Sequence, residues 1–253
     1  MILNYNDTPI YYMVHGQGPV IVLLHGFLES STMWDQLIPK IAKDNTIITV
    51  DLPGHGNSGC LNTSHSMEVM ADIVHAILKK HKIDSAAFYG HSMGGYVALA
   101  YAEKYFMVIN KLILINSTPA ADSVERKLNR DRAIKVINQN PKAFISMAIH
   151  NLFVKSSQIQ YALEIQKMKN EALSFPIKGI IATIIGMKNR KDRSLILKEL
   201  KTEKIMICGN IDPIIPFEVA KTLALESGTK LKKLAGGHMS LIENFDETVK
   251  ICS

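Results

Sequence analysis

Three polar side chains, far apart in this sequence, have the types that acyl transfer needs. The first is Ser92 in "AAFYGHSMGGYVALAYAEKY", with Gly90 two residues before it and Gly94 two residues after. A strand-like apolar run precedes the serine and a helix-like run follows. G-x-S-x-G in that setting is a nucleophile elbow, a sharp strand-to-helix turn that pushes the serine Oγ into a pocket. Glycine is needed two residues to either side because side chains there would collide. The helix that begins here points its N-terminus at the site, which favours developing negative charge. A serine in an ordinary glycine turn is the plainer reading, and the flanking strand and helix argue against it.

A serine hydroxyl is a weak nucleophile and needs a base. The order that goes with this elbow is serine, acid, histidine. His238 in "LAGGHMSLIEN" follows the last strand-like run and opens the last helix-like run. Of nine histidines it alone follows both the serine and a strand-terminal acid. That acid is Asp212 in "MICGNIDPIIP"; an Asp-Pro turn former could stand there too, and the two roles do not exclude each other. Another place for the acid, after "LILINS", holds the uncharged Asn116. The tetrahedral intermediate needs an oxyanion hole, and its donors would be the backbone N–H groups of Met93 and of Phe27 in "LLHGFLES". His25 is read as a structural loop histidine. Asp51 and His55 in "DLPGHGNSG" are read as parts of a tight loop, and "PGHG" is no phosphate loop because no Gly-Lys-Ser/Thr follows.

The elements that must hold these groups alternate. "ILNYNDTPIYYMVHGQGP" reads as a hairpin. "VIVLLHG" and "TIITVD" are apolar runs suited to strands buried on both faces. "STMWDQLIPKIAK", "MEVMADIVHAILKK" and "MGGYVALAYAEKY" have helical spacing. "SAAFYG", "VINKLILINS", "EKIMICG" and "KLKKLAG" supply further strands, with helices over "PFEVAKTLALES" and "HMSLIENFDETVKI". The fold class is therefore α/β: a mostly parallel eight-stranded sheet flanked by helices. Residues 119–190 lack strands and read as several helices broken at "NQNPKA" and "LSFPIKG". They are expected to form a helical cap inserted in one domain, with residues 1–118 and 191–253 as the core.

The 253 residues are 47% hydrophobic and 21% charged, as in an ordinary globular domain. No secretory signal is read at the start, and no apolar run reaches the roughly 20 residues of a membrane span. A soluble, cytoplasmic protein is expected, with no membrane partner. Cys60, Cys208 and Cys252 lie far apart, so neither a disulfide framework nor a zinc site is expected. No metal and no cofactor is called for. The net charge of +6 is unevenly placed: Pro119 to Lys191 carries +8 and the remainder −2. A solvated helical surface explains that, and attraction of anionic substrates is a second explanation. The basic residues are dispersed and no recognition motif accompanies them, so nucleic acid is not expected as a partner.

"LLHGF", "DLPGHGNSG", "GHSMGGYVALAYA", "GNIDPIIP" and "GGHMSLIEN" resemble the α/β-hydrolase superfamily in order and spacing. The resemblance covers nearly the whole chain outside the inserted helices and implies that superfamily's fold and Ser92–Asp212–His238 triad. Epoxide hydrolases and haloalkane dehalogenases of this fold carry an aspartate where Ser92 stands. Prolyl iminopeptidases carry Trp where Met93 stands. The menaquinone-pathway lyase of this fold usually has Arg at the place of Tyr96, to hold a carboxylate; Arg126 or Arg130 could supply one here.

The expected function is a serine hydrolase, in first place a carboxylesterase cleaving a small acyl ester. The alternative is a C–C bond hydrolase or menaquinone-pathway-type lyase using the same triad on an anionic substrate. A ligand sensor of the same fold comes third. The expected partner is a small-molecule substrate, and the chain is expected as a monomer or a homodimer.

Overall fold

A computed structural model describes residues 1–61 and 64–253. Its sheet begins with β1 (Ile2–Tyr5) and β2 (Thr8–His15), an antiparallel pair. Asn6 and Asp7 join them at φ 47° and 60°. Positive φ at both positions is what a two-residue turn of type I′ needs, and Asn and Asp accept it better than most residues. The remaining strands are β3 (Val20–Leu24), β4 (Thr46–Val50), β5 (Ala86–His91), β6 (Ile109–Ile115), β7 (Glu203–Gly209) and β8 (Lys230–Leu234). The order across the sheet is β1-β2-β4-β3-β5-β6-β7-β8. From β4 to β8 every pairing is parallel, and β2 runs antiparallel to β4.

Side-chain alternation along these strands divides the apolar residues between two layers. Val22, Leu24, Ile48, Val50, Phe88, Leu112 and Leu114 face α2 (Met67–Lys80) and α3 (Met93–Tyr105). Ile21, Leu23, Ile47, Tyr89, Ile113 and Ile207 face the other side, against Trp34, Leu37, Ile41, Leu241 and Cys252. A strand covered on both faces has no reason to alternate polar with apolar, so the central runs read as continuously hydrophobic. α3 is buried from Met93 to Ala102; its Gly and Ala residues let it sit close under the sheet.

Two expected helices are broken. Where one was read over Ser31–Lys43, the chain forms a 3-10 turn (Ser31–Trp34) and then the short α1 (Ile38–Ile41). Pro39 cannot donate to residue 35 and its ring would strike that carbonyl, so the helix restarts around the proline. The closing helix is split into α11 (Ser240–Glu243) and α12 (Phe245–Cys252) at Asn244, which leaves helical geometry at φ −139°, ψ 48°. The Glu243 side chain turns back to accept from the N–H groups of Gly237 (3.0 Å) and Met239 (3.2 Å). It thereby fixes the loop before the break.

Between β6 and β7 lie α4 (Val124–Gln139), α5 (Pro141–His150), α6 (Lys155–Gln160), α7 (Ala162–Ala172) and α8 (Ile177–Lys188). The breaks fall before Pro141 and at Pro176, and Asn140 caps α5 by accepting from the Ala143 N–H at 3.0 Å. α8 touches the loop after β4 through small residues. A Cβ on Gly179 would lie 2.7 Å from the Gly54 Cα, and one on Gly186 would overlap the His65 carbonyl. α9 (Ser194–Glu199) and α10 (Phe217–Ser227) flank β7. No helix among the described residues is long and apolar enough to cross a membrane.

Candidate active site

Ser92 ends β5 and precedes α3 at φ 48°, ψ −111°, a conformation that costs a non-glycine residue about 1–3 kcal/mol. Its surroundings hold it there. The Ser92 N–H donates to the Ile115 carbonyl at 2.9 Å, and Ser117 Oγ donates to the Ser92 carbonyl at 2.7 Å. The glycine frame has a steric cause. A Cβ on Gly90 would lie 2.5 Å from the Gly94 and Gly95 backbone, and a Cβ on Gly94 would overlap the Leu24 carbonyl. The turn can be this tight, and this close to β3, only without those atoms.

His238 stands opposite. Its Nε2 is 2.9 Å from Ser92 Oγ, and its Nδ1 is 3.0 and 2.9 Å from the two carboxylate oxygens of Asp212. Asp212 therefore accepts a hydrogen bond from Nδ1–H, and Nε2 is left to accept from the serine hydroxyl. The carboxylate is buried and well supplied with donors. Oδ1 accepts from the N–H groups of Ile214 (2.8 Å) and Ile215 (2.9 Å), and Oδ2 from Asn116 Nδ2 (3.0 Å). Burial favours its neutral form, but His238 and these hydrogen bonds outweigh burial and hold its pKa below the usual carboxylate range.

Phe27 and Met93 are the expected oxyanion donors. Phe27 follows β3 and lines the pocket that holds Ser92 and His238; Met93 is the first residue of α3. Among the described residues neither N–H meets a protein acceptor. His25 is structural: Nδ1 donates to the Gly26 carbonyl (2.7 Å) and Nε2 accepts from the Leu52 N–H (2.8 Å). Its burial lowers its pKa and keeps it neutral. Asp51 is structural too, accepting from the N–H groups of Ser31 and Asn57 at 2.8 Å each.

The pocket encloses about 460 Å³, within the range of roughly 300–1,000 Å³ for small-molecule sites. Strand-end residues form its floor, and Ala133, Phe144, Ala148, Leu152 and Met187 of the inserted segment form its apolar wall. The segment is also bonded to the site, since the His238 N–H donates to the Leu152 carbonyl at 3.3 Å.

One pair was not found in the sequence. Glu29 and His91 are both almost fully buried. Glu29 Oε2 accepts from the Gly26 N–H (2.7 Å) and from His91 Nδ1 (2.9 Å), while His91 Nε2 donates to the His238 carbonyl (3.0 Å). Both ring nitrogens face acceptors, so His91 is an imidazolium. Burial opposes its charge, but Glu29 overcomes burial and raises its pKa. The pair ties together the Gly26–Phe27 loop, the elbow and the His238 loop. Only a histidine next to the nucleophile and an acid after His-Gly-Phe hinted at it. Asn116, set aside in sequence as an uncharged substitute for the acid, is instead a donor to that acid.

A parallel sheet with helices on both faces and a serine at a strained strand-to-helix turn defines an α/β-hydrolase architecture. The comparisons agree. The chain belongs to the alpha/beta hydrolase fold family, whose sequence model matches residues 19–245. It is 26% identical over 230 residues to a pimeloyl-[acyl-carrier protein] methyl ester esterase of Vibrio atlanticus (strain LGP32), covering 86% of this chain and 85% of that one. A thermophilic esterase from Thermogutta terrifontis superposes with a TM-score of 0.91 at 28% identity, covering 97% of this chain and 92% of the esterase. An enol-lactonase from Burkholderia xenovorans LB400 shares the fold, at a TM-score of 0.92 and 21% identity, covering 100% and 98%. The chain is a hydrolase enzyme with esterases among its relatives.

Proposed function

We propose that this hydrolase is a serine carboxylesterase acting on small acyl esters, with Ser92 as nucleophile, His238 as base and Asp212 as the orienting acid. The observation that carries this reading is the unbroken hydrogen-bonded line Ser92 Oγ, His238, Asp212 at 2.9–3.0 Å, opening on an apolar pocket. His238 Nε2 takes the hydroxyl proton as Oγ attacks the ester carbonyl. The N–H groups of Met93 and Phe27 hold the oxyanion; losing one such donor typically costs about 10²–10³ in rate. The imidazolium then gives its proton to the departing alcohol, and an acyl-enzyme is left on Ser92. Water, activated by the same nitrogen, attacks that acyl group and frees the acid. Residues 119–190 act as the cap that chooses the acyl group, since its side chains supply the apolar wall. The naming of a relative as a methyl ester esterase supports an ester with a small alcohol.

The test is hydrolysis of p-nitrophenyl butyrate under burst conditions, with fluorophosphonate labelling of Ser92. A burst of one p-nitrophenol per chain and labelling that disappears in Ser92→Ala are expected. Full turnover by Ser92→Ala would defeat the proposal.

A further inference from the structure

We propose that the pocket takes esters whose far end carries a carboxylate, and that Arg126 of α4 binds that carboxylate. This rests on the esterase reading above and names its substrate class.

Arg126 and Arg130 are one helical turn apart on α4, and both line the pocket that holds Ser92 and His238. Their charges are compensated differently. Arg130 Nε meets Asp122 Oδ2 at 3.1 Å, and Arg190 Nη1 meets Asp122 Oδ1 at 2.6 Å. One buried carboxylate thus serves two guanidinium groups. Arg190 is itself buried, with its guanidinium 4.1 Å from the centre of the Tyr96 ring, another pocket residue. Arg126 has no carboxylate within ion-pair distance among the described residues. Its one protein acceptor is the Ile214 carbonyl, reached by Nη2 at 2.9 Å.

That acceptor places the charge. The N–H of Ile214 donates to Asp212 Oδ1, so Arg126 is anchored on the loop that orients His238. A guanidinium has five donors in a rigid fork and suits a carboxylate in a two-point contact. Fixed in place by Ile214, it is prepared for an anion. The other charged pair on the pocket wall, Glu29 with His91, is neutral as a unit. The wall therefore keeps a net positive charge on the α4 side, while Phe144, Ala148, Leu152 and Met187 give the same pocket an apolar lining. An acyl chain with an ester at one end and a carboxylate at the other offers a group to each part of this lining: a carbonyl to Ser92, methylenes to the apolar side chains and an anion to Arg126.

Monomethyl adipate and methyl hexanoate, equal in acyl length, give the test. The wild type should prefer monomethyl adipate in kcat/KM. In Arg126→Gln that preference should fall about tenfold, the usual worth of one hydrogen bond to a charged group. In Lys221→Gln, on α10 away from the pocket, it should stay. Calorimetric binding of adipate, weakened about tenfold by Arg126→Gln, gives a readout independent of turnover. Equal use of both esters by the wild type, or adipate binding indifferent to Arg126→Gln, would overturn the subsite. So would loss of the preference in Lys221→Gln, since the effect would then be one of overall charge. Ser92→Ala separates the two readings: if it still cleaves methyl hexanoate, the esterase mechanism fails, and adipate binding judges the subsite alone.

Discussion

At the scale of single residues, the chemistry depends on charges held in a dry place. Asp212 is ionised because His238, two backbone N–H groups and Asn116 together outweigh its burial. Asp212→Asn keeps the volume and loses the charge, so the imidazole is no longer held in the tautomer that can accept from Ser92. A fall in kcat of about 10⁴ is expected, with thermal stability little changed, measured by p-nitrophenyl butyrate turnover and by calorimetry. Glu29 and His91 give a second prediction. Glu29→Gln leaves a buried imidazolium without its counter-charge, and a loss of about 3–5 kcal/mol is expected in urea unfolding. The sign with pH follows from the two shifts. His91 has a raised pKa, so its contribution is full below its unfolded value and is lost as pH rises through the folded one. Glu29 has a lowered pKa despite burial, because of His91, so its contribution is lost as pH falls through the folded value. The stability difference between wild type and Glu29→Gln should be greatest between these limits and shrink on both sides. A difference constant with pH would show that the pair carries no charge.

At the scale of elements, β5, the elbow and α3 form one mechanical unit. The turn at Ser92 lies against β3, so close that Gly94 has no room for a methyl group. Gly94→Ala must push α3 away from the Leu24 carbonyl. Overpacking of this kind costs about 1–3 kcal/mol, and the displaced serine should lose more in kcat than the fold loses in stability. Urea unfolding and turnover on one preparation would compare the two. The inserted helices are positioned by the same kind of contact. Gly186→Leu should lift α8 from the His65 backbone and speed proteolytic cutting within residues 119–190, as read by limited trypsin digestion; an unchanged cutting rate would mean that α8 is not held there. The closing helix teaches the converse. Its sequence has continuous helical spacing, but Glu243 is more useful as an acceptor for the Gly237 and Met239 N–H groups, and the helix breaks behind it at Asn244.

For the whole molecule, charge is divided unevenly: the Pro119–Lys191 segment holds +8 against −2 elsewhere. If that segment draws anionic esters toward Arg126, raising salt from about 0.01 to 0.5 M should lower kcat/KM for monomethyl adipate and leave methyl hexanoate nearly unaffected. The field of exposed charges is screened within about 10 Å at 0.1 M salt. Parallel rate measurements over a salt series would show it. Just past the insertion, Arg193 is tied down from a buried position, with Glu68 of α2 and Glu103 of α3 as its ion-pair partners.

The sequence by itself determined the order of strands and helices, the turn at Ser92 and the choice of Asp212 and His238 as its companions. These are local or ordinal signals: apolar runs show burial on two faces, glycine spacing shows a tight turn, and chain order picks out Asp212 and His238 as the residues that stand beside it. Pro39 and Asn244 broke helices that spacing alone joined, since one missing donor or one competing side chain outweighs a periodic pattern. The tertiary structure alone decided which charges are paired. Glu29 and His91 lie 62 positions apart and Arg126 and Ile214 lie 88 apart. Nothing in either neighbourhood names its partner. A charge takes its meaning from the dielectric around it and from the nearest opposite charge, and both are set by how the sheet, the elbow and the inserted helices close on one another.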